Sequence, residues 1–156
     1  MLRNPRILVL NTITKGECRA VLALVDINIL KPHERTIEER VRLLENDIRK
    51  KRVLLKPILV DANTMVILDG HHRVEALRRL GARYIAALLV DYEDSCVSVS
   101  SWRPGWTITK STVIQAALSG KLFPPRTSRH RLCFKIPSVH IHLNLLRGED
   151  SGRQTS

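Results

Sequence analysis

Short apolar runs separated by polar turns dominate the hydrophobic pattern along the chain. Runs of this length that are rich in Val, Ile and Leu are typical of buried strands. The pattern predicts strands at residues 19–26, 53–60, 65–68, 84–90 and 97–102, with a possible further strand at 6–13. Pro57 interrupts the second run, so we expect a bend or a sheet edge there.

Apolar residues at helical spacing mark the first predicted helix. Its apolar face consists of Ile37, Val41, Leu44 and Ile48. Thr36 with Glu39 fits a capping box, in which the two side chains bind the first free N–H groups of a helix. The basic run at 49–52 complements the negative end of the helix dipole, so we interpret it as a helix end rather than a nucleic-acid patch.

Two shorter helices are predicted further along. One covers residues 74–80 and stops at Gly81, which suits the end of a helix. The other is capped by Thr112 and Gln115 and is closed by Gly120. Helices of this kind mixed with strands, with no internal repeat, predict an α+β fold.

The C-terminal part of the chain shows a weaker pattern. Residues 121–131 read as a loop, and residues 139–145 read as a strand that places His140 and His142 on one face. We interpret this histidine pair as structural, because the sequence offers no third metal ligand beside it. The polar residues 147–156 are expected to form a disordered tail.

The composition favours an anionic partner. The 156 residues include 26 Lys and Arg against 15 Asp and Glu, which gives a formal net charge of +11. This balance suits nucleic acid, an anionic surface or a phosphorylated small molecule, and composition does not choose among them. Since 44% of the residues are apolar, the chain can bury a core, and its length fits one domain or one with a small added lobe.

Cysteine spacing and hydropathy bear on the compartment. Cys18, Cys96 and Cys133 are far apart in sequence and form no Cys-x-x-Cys pair, so they indicate neither a disulfide framework nor a zinc ribbon. We expect them to be reduced, as in an intracellular protein. No apolar run is long enough to span a bilayer, and we expect a cytoplasmic protein.

The strongest candidate for chemistry is the sequence Asp-Gly-His-His-Arg at 69–73. It lies where a predicted strand passes into a predicted helix. A glycine there lets the main chain approach a ligand, and the helix start offers free N–H groups and partial positive charge to a phosphate. The N–H groups of residues 71–73 and the Arg73 guanidinium can hold phosphate groups, and Asp69 is an oxygen ligand of the kind Mg²⁺ prefers.

Three blocks of the sequence occur together: Lys-Pro-His-Glu at 31–34, the block at 69–73 and the stretch at 120–130, with Ser-Trp-Arg-Pro at 101–104 as a weaker fourth. In combination they resemble the ParB/sulfiredoxin superfamily and, within it, the free L-serine kinases. The resemblance covers residues 19 to 145. One ADP-using archaeal member carries a sizeable insertion before its Arg-Thr-Ser-Arg-His block, where this chain has only a short helix.

The resemblance implies Mg²⁺-dependent phosphoryl transfer from ATP or ADP to the hydroxyl of free L-serine, within serine-to-cysteine metabolism. It makes Glu34 the general base and Asp69 the metal ligand. The residues expected to bind the nucleotide are Asp69, Gly70, His71, His72, Arg73 and Lys56. Those expected on the substrate side are Trp102, Arg126, Thr127, Ser128, Arg129 and His130. The missing insertion slightly favours ATP, and which of the two adjacent histidines meets phosphate stays open.

The same resemblance suggests how the chain is divided. Residues 1–18 are an N-terminal extension or extra strand, and residues 19–146 form one catalytic domain. Within it, 19–102 is the nucleotide-binding core and 103–146 is the substrate-side segment.

Four other functions compete with this interpretation. A ParB-like DNA-binding protein fits the charge, but the chain has little room for a helix-turn-helix module. Sulfiredoxin activity needs a cysteine in the phosphate loop, where this chain has His71. A nuclease is weakly supported, because Glu34 and Asp69 alone do not make a two-metal carboxylate cluster. A nucleotide sensor without turnover remains an alternative. The sequence predicts neither a nucleic-acid partner nor a membrane, and it predicts no particular oligomeric state.

Overall fold

A five-stranded mixed sheet forms the centre of the protein in the computed structural model, which describes residues 5–149. The strands are β1 (Ile7–Lys15), β2 (Cys18–Asp26), β3 (Val53–Leu54), β4 (Ile58–Asp61), β5 (Ile67–Asp69), β6 (Tyr84–Val90), β7 (Val97–Ser101), β8 (Ser128–Leu132) and β9 (Ile141–His142). The central sheet has the order β1-β2-β6-β4-β5. Strands β4 and β6 are parallel, and the other neighbours in this sheet are antiparallel.

Helices cover both faces of this sheet. They are α1 (Glu38–Lys51), α2 (His71–Arg79), α3 (Lys110–Ser119) and α4 (Leu143–Leu146). Helices α1 and α2 pack together over one face, and α3 packs over the other. Each face of the sheet packs against its own hydrophobic core, and β6 contributes to both. Ile85 lies in the core that includes α1 and α2, and Leu88 lies in the core that includes α3. The predicted α+β fold is confirmed, and the possible strand at 6–13 is present as β1.

Strands β7 and β8 form a separate two-stranded ribbon on the α3 side. Ser101 pairs with Ser128 at one end of the ribbon, and Val97 pairs with Leu132 at the other. The predicted loop at 121–131 is therefore wrong at its C-terminal end. The residues of β8 are almost all polar, so no apolar alternation signals the strand, and pairing with β7 creates it.

The segment after β8 also differs from its prediction. The predicted strand at 139–145 shrinks to β9 and is followed at once by α4. His142 caps α4, because its Nδ1 accepts a hydrogen bond of 3.0 Å from Asn144 N. His140 is exposed, and among residues 5–149 neither histidine belongs to a group of three potential metal ligands.

The start of α1 is held by a side chain from α2. The predicted capping box at Thr36 is wrong, since α1 begins after Ile37 and has no side-chain cap of its own. Ile37 N instead donates to His72 Nε2 at 3.0 Å. A capping box does occur at α3, where Thr109 and Thr112 bind each other's main-chain N–H groups, one turn earlier than predicted.

The three cysteines do not lie apart, as their spacing had suggested. Cys18 and Cys96 form a disulfide, and Cys133 Sγ lies 3.1 Å from Cys18 Sγ. The expectation of separate reduced thiols is therefore wrong, because the ribbon brings residues distant in sequence to the same point.

Residues 1–4 of the predicted N-terminal extension and residues 150–156 of the predicted tail lie outside the described part. Across residues 5–149, every helix is too short or too polar to traverse a bilayer.

Candidate active site

A cavity of about 580 Å³ opens where the end of β5 and the start of α2 meet α1 and the segment leading into β8. This volume lies within the range of small-molecule sites. The cavity is lined by Glu34, Arg40, Leu43, Leu44, Leu68, Asp69, Gly70, His71, His72, Arg73, Trp102, Arg126 and Ser128. The structure thus gathers the candidate base, the candidate phosphate loop and part of the candidate substrate segment around one space.

The turn between β5 and α2 requires glycine at position 70. Gly70 has φ of 111°, a left-handed conformation that residues with a side chain rarely adopt. A Cβ there would also lie 2.8 Å from Ile58 Cβ and 2.9 Å from Arg73 Nη2. The close approach leaves the first N–H groups of α2 beside the cavity, where they suit an anion.

Arg73 and Asp69 place opposite charges at this turn. The Arg73 Nη2 atom lies 3.7 Å from the Asp69 carboxylate, which is about two-thirds exposed. Burial lowers the pKa of Arg73, and the Asp69 charge opposes that change. Arg73 Nε is buried without a hydrogen-bond partner among the described residues, so the guanidinium retains unused donor capacity beside the cavity.

Glu34 is a buried carboxylate held by several donors. Its Oε1 accepts from Arg126 N at 3.1 Å, and its Oε2 accepts from Ser128 N at 2.7 Å and from the Ser128 hydroxyl. Burial by itself raises the pKa of Glu34, but the hydrogen bonds from His33 and Ser128 outweigh it and lower the pKa to about 2. Glu34 is therefore ionised at neutral pH.

His33 belongs to the same buried network. Its Nδ1 lies 2.7 Å from the main-chain oxygen of Ile67, which can only accept, so Nδ1 carries a proton. Its Nε2 lies 2.7 Å from Ser128 Oγ and 3.5 Å from Glu34 Oε2. His33, Ser128 and Glu34 thus form a chain of polar contacts that fixes the Glu34 carboxylate beside the cavity.

The two histidines of the motif hold the loop that carries Glu34. His71 Nε2 accepts from His33 N at 3.1 Å, and His72 Nε2 accepts from Ile37 N at 3.0 Å. Burial is the main cause that lowers the pKa of His71, to about 3, and burial followed by the charge of Arg40 lowers that of His72. Both rings act as neutral acceptors at Nε2, which places the single ring proton of each on Nδ1.

Trp102 lines the other side of the cavity and is held by Arg129, which lies outside the lining. The Arg129 guanidinium lies 4.4 Å above the Trp102 ring, a cation–π contact that holds both side chains in place. Trp102 is about half exposed and lines the cavity together with Arg126.

Other residues suggested by the sequence lie outside the cavity lining. Thr127 is fully buried, and its hydroxyl donates to Pro124 O at 2.7 Å, which fixes the turn before β8. His130 Nε2 lies 2.8 Å from the Tyr92 hydroxyl, beneath the ribbon. Lys56 is exposed on the segment between β3 and β4. None of these side chains lines the cavity.

Sequence reasoning missed the part of the cavity that α1 contributes. Arg40 and Leu43 line the cavity from the exposed face of that helix, and Leu43 is 70% exposed. An exposed leucine on the polar face of an amphipathic helix was the available signal, but single exposed apolar residues are common and rarely interpretable alone.

Several curated proteins are similar to parts of this chain. An ATP-dependent L-serine kinase of Staphylothermus marinus is 34% identical over 85 residues, which cover 52% of this chain and 34% of that protein. A ParB-like protein of Sulfolobus acidocaldarius is 46% identical over 74 residues, or 47% of this chain and 36% of that protein. An ADP-dependent L-serine kinase of Thermococcus kodakarensis is 25% identical over 95 residues, or 58% and 39%. The chain spans somewhat more than a third of the length of these relatives.

Solved structures match more of the chain. A free serine kinase in complex with AMP has a TM-score of 0.71 at 17% identity, covering 88% of this chain and 97% of that one. A conserved hypothetical protein from Pyrococcus furiosus has a TM-score of 0.74 at 16% identity, covering 80% and 97%. No protein-family model matches the chain.

These comparisons agree with the resemblance seen in the motifs. Because the identities of the solved structures are so low, those structures establish the fold and nothing more. The protein has the fold of a free serine kinase.

Proposed function

We propose that this protein transfers a phosphoryl group from a nucleotide to the hydroxyl of free L-serine and releases O-phospho-L-serine. One observation carries the proposal: an ionised acid, Glu34, shares a cavity with an anion-binding turn built on Gly70. Phosphoryl transfer needs positioning and charge neutralisation more than covalent chemistry, and this arrangement offers both. The names of two curated relatives, ATP-dependent and ADP-dependent L-serine kinase, support the same reaction.

The donor phosphates are assigned to the start of α2. The free N–H groups after Gly70 and the guanidiniums of Arg73, Arg40 and Arg126 face the same cavity. Together they can neutralise a polyphosphate. Asp69, exposed at the rim, is the described carboxylate best suited to hold Mg²⁺, which usually takes one or two carboxylates together with phosphate oxygens.

The nucleoside is assigned to the α1 side of the cavity. Leu43 and Leu44 supply apolar surface there, whereas the α2 side is polar and basic. A nucleobase gains from apolar contact on its faces, and the phosphates gain from the opposite side. Nothing in this lining separates ATP from ADP, so both remain candidate donors.

Glu34 Oε1 is the atom assigned to the acceptor hydroxyl. Oε2 already accepts two hydrogen bonds from Ser128, whereas Oε1 accepts one, from Arg126 N. The serine oxygen attacks the terminal phosphorus, the bond to the bridging oxygen breaks, and the hydroxyl proton passes to Oε1. A carboxylate of low pKa is a weak base, but a loose transition state asks more of its orientation than of its basicity.

Replacing Glu34 by Gln tests this assignment. The amide keeps the shape but cannot take the proton, so turnover should fall by about 10²–10⁴-fold while nucleotide affinity changes little. Glu39→Gln is the matched control, because Glu39 is exposed on α1 and does not line the cavity. Equal turnover of the two variants would remove Glu34 from the reaction.

A ParB-like role without kinase activity is the second candidate. The relative named ParB-like protein, at 46% identity, favours it, as does the net charge of +11. Such a protein would bind duplex DNA with a steep dependence on salt. A kinase would instead bind nucleotide and form product without needing DNA.

A further inference from the structure

The three cysteines of the chain are far apart in sequence but lie together in the fold. The Sγ atoms of Cys18, Cys96 and Cys133 lie within 4.8 Å of one another. Cys18 and Cys96 are joined across a sequence separation of 78 residues, with their Cα atoms 6.1 Å apart. That Cα spacing is ordinary for a disulfide.

The cluster links two separate parts of the fold. Cys18 is the first residue of β2 in the central sheet, Cys96 immediately precedes β7, and Cys133 immediately follows β8. Cys133 N donates to Cys96 O at 2.9 Å, so these two cysteines lie side by side at the same end of the ribbon. The opposite end of the ribbon carries Ser128, which binds Glu34.

Cys18 is the sulfur that both ribbon cysteines reach. It is bonded to Cys96, and its Sγ lies 3.1 Å from the Sγ of Cys133, an exposed free thiol. A thiol in contact with a disulfide sulfur is placed for thiol–disulfide exchange.

We propose that the three cysteines form a thiol–disulfide exchange centre, in which Cys18 anchors the ribbon to the central sheet through either Cys96 or Cys133. The disulfide forms when two of the thiols are oxidised by a small-molecule disulfide, which is reduced to two thiols. In the exchange, the Cys133 thiolate attacks Cys18 Sγ, the bond from Cys18 to Cys96 breaks, and the Cys96 thiolate takes up the proton that Cys133 lost.

The two disulfides are equivalent in what they tie together. Because Cys96 and Cys133 lie at the same ribbon end, either one joins that end to β2. Cys18 is therefore indispensable to the tether, and each ribbon cysteine can replace the other. A three-thiolate metal site is the rival, but structural zinc sites use four ligands and the cluster contains three among residues 5–149.

Trapping the free thiol in the unaltered protein tests the exchange directly. Protein oxidised with glutathione disulfide is quenched in acid, denatured and labelled with N-ethylmaleimide before peptide mapping. We expect one label per chain, divided between Cys133 and Cys96, and none on Cys18. Label on Cys133 alone would show a fixed disulfide, and three labelled cysteines or one bound zinc per chain would show no disulfide. Either result overturns the proposal.

Serine variants test the interchange of the ribbon cysteines. Cys96→Ser should form the bond between Cys18 and Cys133, and Cys133→Ser should keep the bond between Cys18 and Cys96. Both should retain the oxidised thermal midpoint, while the double variant should lose roughly 10 °C, as should the wild type on reduction. Two unpaired thiols in oxidised Cys96→Ser would contradict the proposal. None of these readouts depends on the proposed kinase activity.

Discussion

At the scale of single residues, the site depends on a few side chains whose hydrogen-bond partners leave little choice of state. Glu34 is ionised because His33 and Ser128 stabilise its charge, and His71 is neutral because it is buried and accepts from a main-chain N–H. Any side chain at position 70 would be strained at this positive φ and would press against Ile58 and Arg73. These states follow from contacts made across the fold, so the sequence could name the residues but could not assign their roles.

Comparing Gly70→Ala with Gly81→Ala separates the effect of a steric clash from the effect of backbone strain. The new Cβ would meet Ile58 and Arg73, so we expect nucleotide affinity to fall at least tenfold and the free energy of unfolding to drop by more than about 2 kcal/mol. Gly81→Ala is the control, since Gly81 also has positive φ but its Cβ would meet nothing within 4 Å. Titration calorimetry and urea unfolding measure the two effects, and similar losses in both variants would contradict the steric argument.

His130 supplies a dependence of stability on pH. Burial is the main cause that lowers its pKa to about 3, with His33 and Lys110 adding to the shift and Glu34 opposing it. The unfolded chain binds a proton at this residue below about pH 6.5, whereas the folded chain does not until about pH 3. Stability is therefore complete above pH 6.5 and falls as the pH drops, by up to about 1.4 kcal/mol per pH unit for this residue.

The slope of stability against pH tests that shift. Urea unfolding between pH 4 and 7 should show a shallower slope for His130→Asn than for the wild type, whatever its effect on absolute stability. His140→Asn is the control, because His140 is exposed. An unchanged slope in His130→Asn would mean that His130 titrates alike in the folded and unfolded chain.

At the scale of elements, the motif at 69–73 does two things at once. Its main chain forms the anion-binding turn, and its two histidine rings fasten the Glu34 loop and the start of α1 to α2. The sequence was sufficient to predict this strand-to-helix junction, because apolar run, glycine and helical spacing all agree there. It was not sufficient for β8, whose residues lack alternation, nor for the start of α1, where Thr36 fits a capping box that the structure does not form.

The start of α1 offers a direct choice between the sequence prediction and the structure. His72→Ala leaves Ile37 N without its acceptor, so we expect a loss of about 1 kcal/mol in the free energy of unfolding, as for a lost helix cap. Thr36→Ala should change stability by less than about 0.5 kcal/mol, since Thr36 makes no cap bond. Urea unfolding measures both, and the reverse order of effects would restore the capping box.

At the scale of the whole molecule, the site is assembled from segments that no local pattern connects. Glu34 precedes α1, Arg73 lies on α2, and Ser128 begins β8, so the cavity exists only when ribbon and sheet are docked. The cysteines show the same limit, since residues spaced 78 and 37 positions apart meet through tertiary structure alone. The net charge of +11 indicated an anionic partner, and the arginines that line the cavity are placed to bind one.

The most direct test of the proposed function is the search for its product. The purified protein would be incubated with L-serine, Mg²⁺ and either ATP or ADP, and O-phospho-L-serine would be measured by mass spectrometry. We expect product with at least one of the two donors, retained in Glu39→Gln and reduced by at least a hundredfold in Glu34→Gln. Nucleotide binding without any product from either donor would contradict the account.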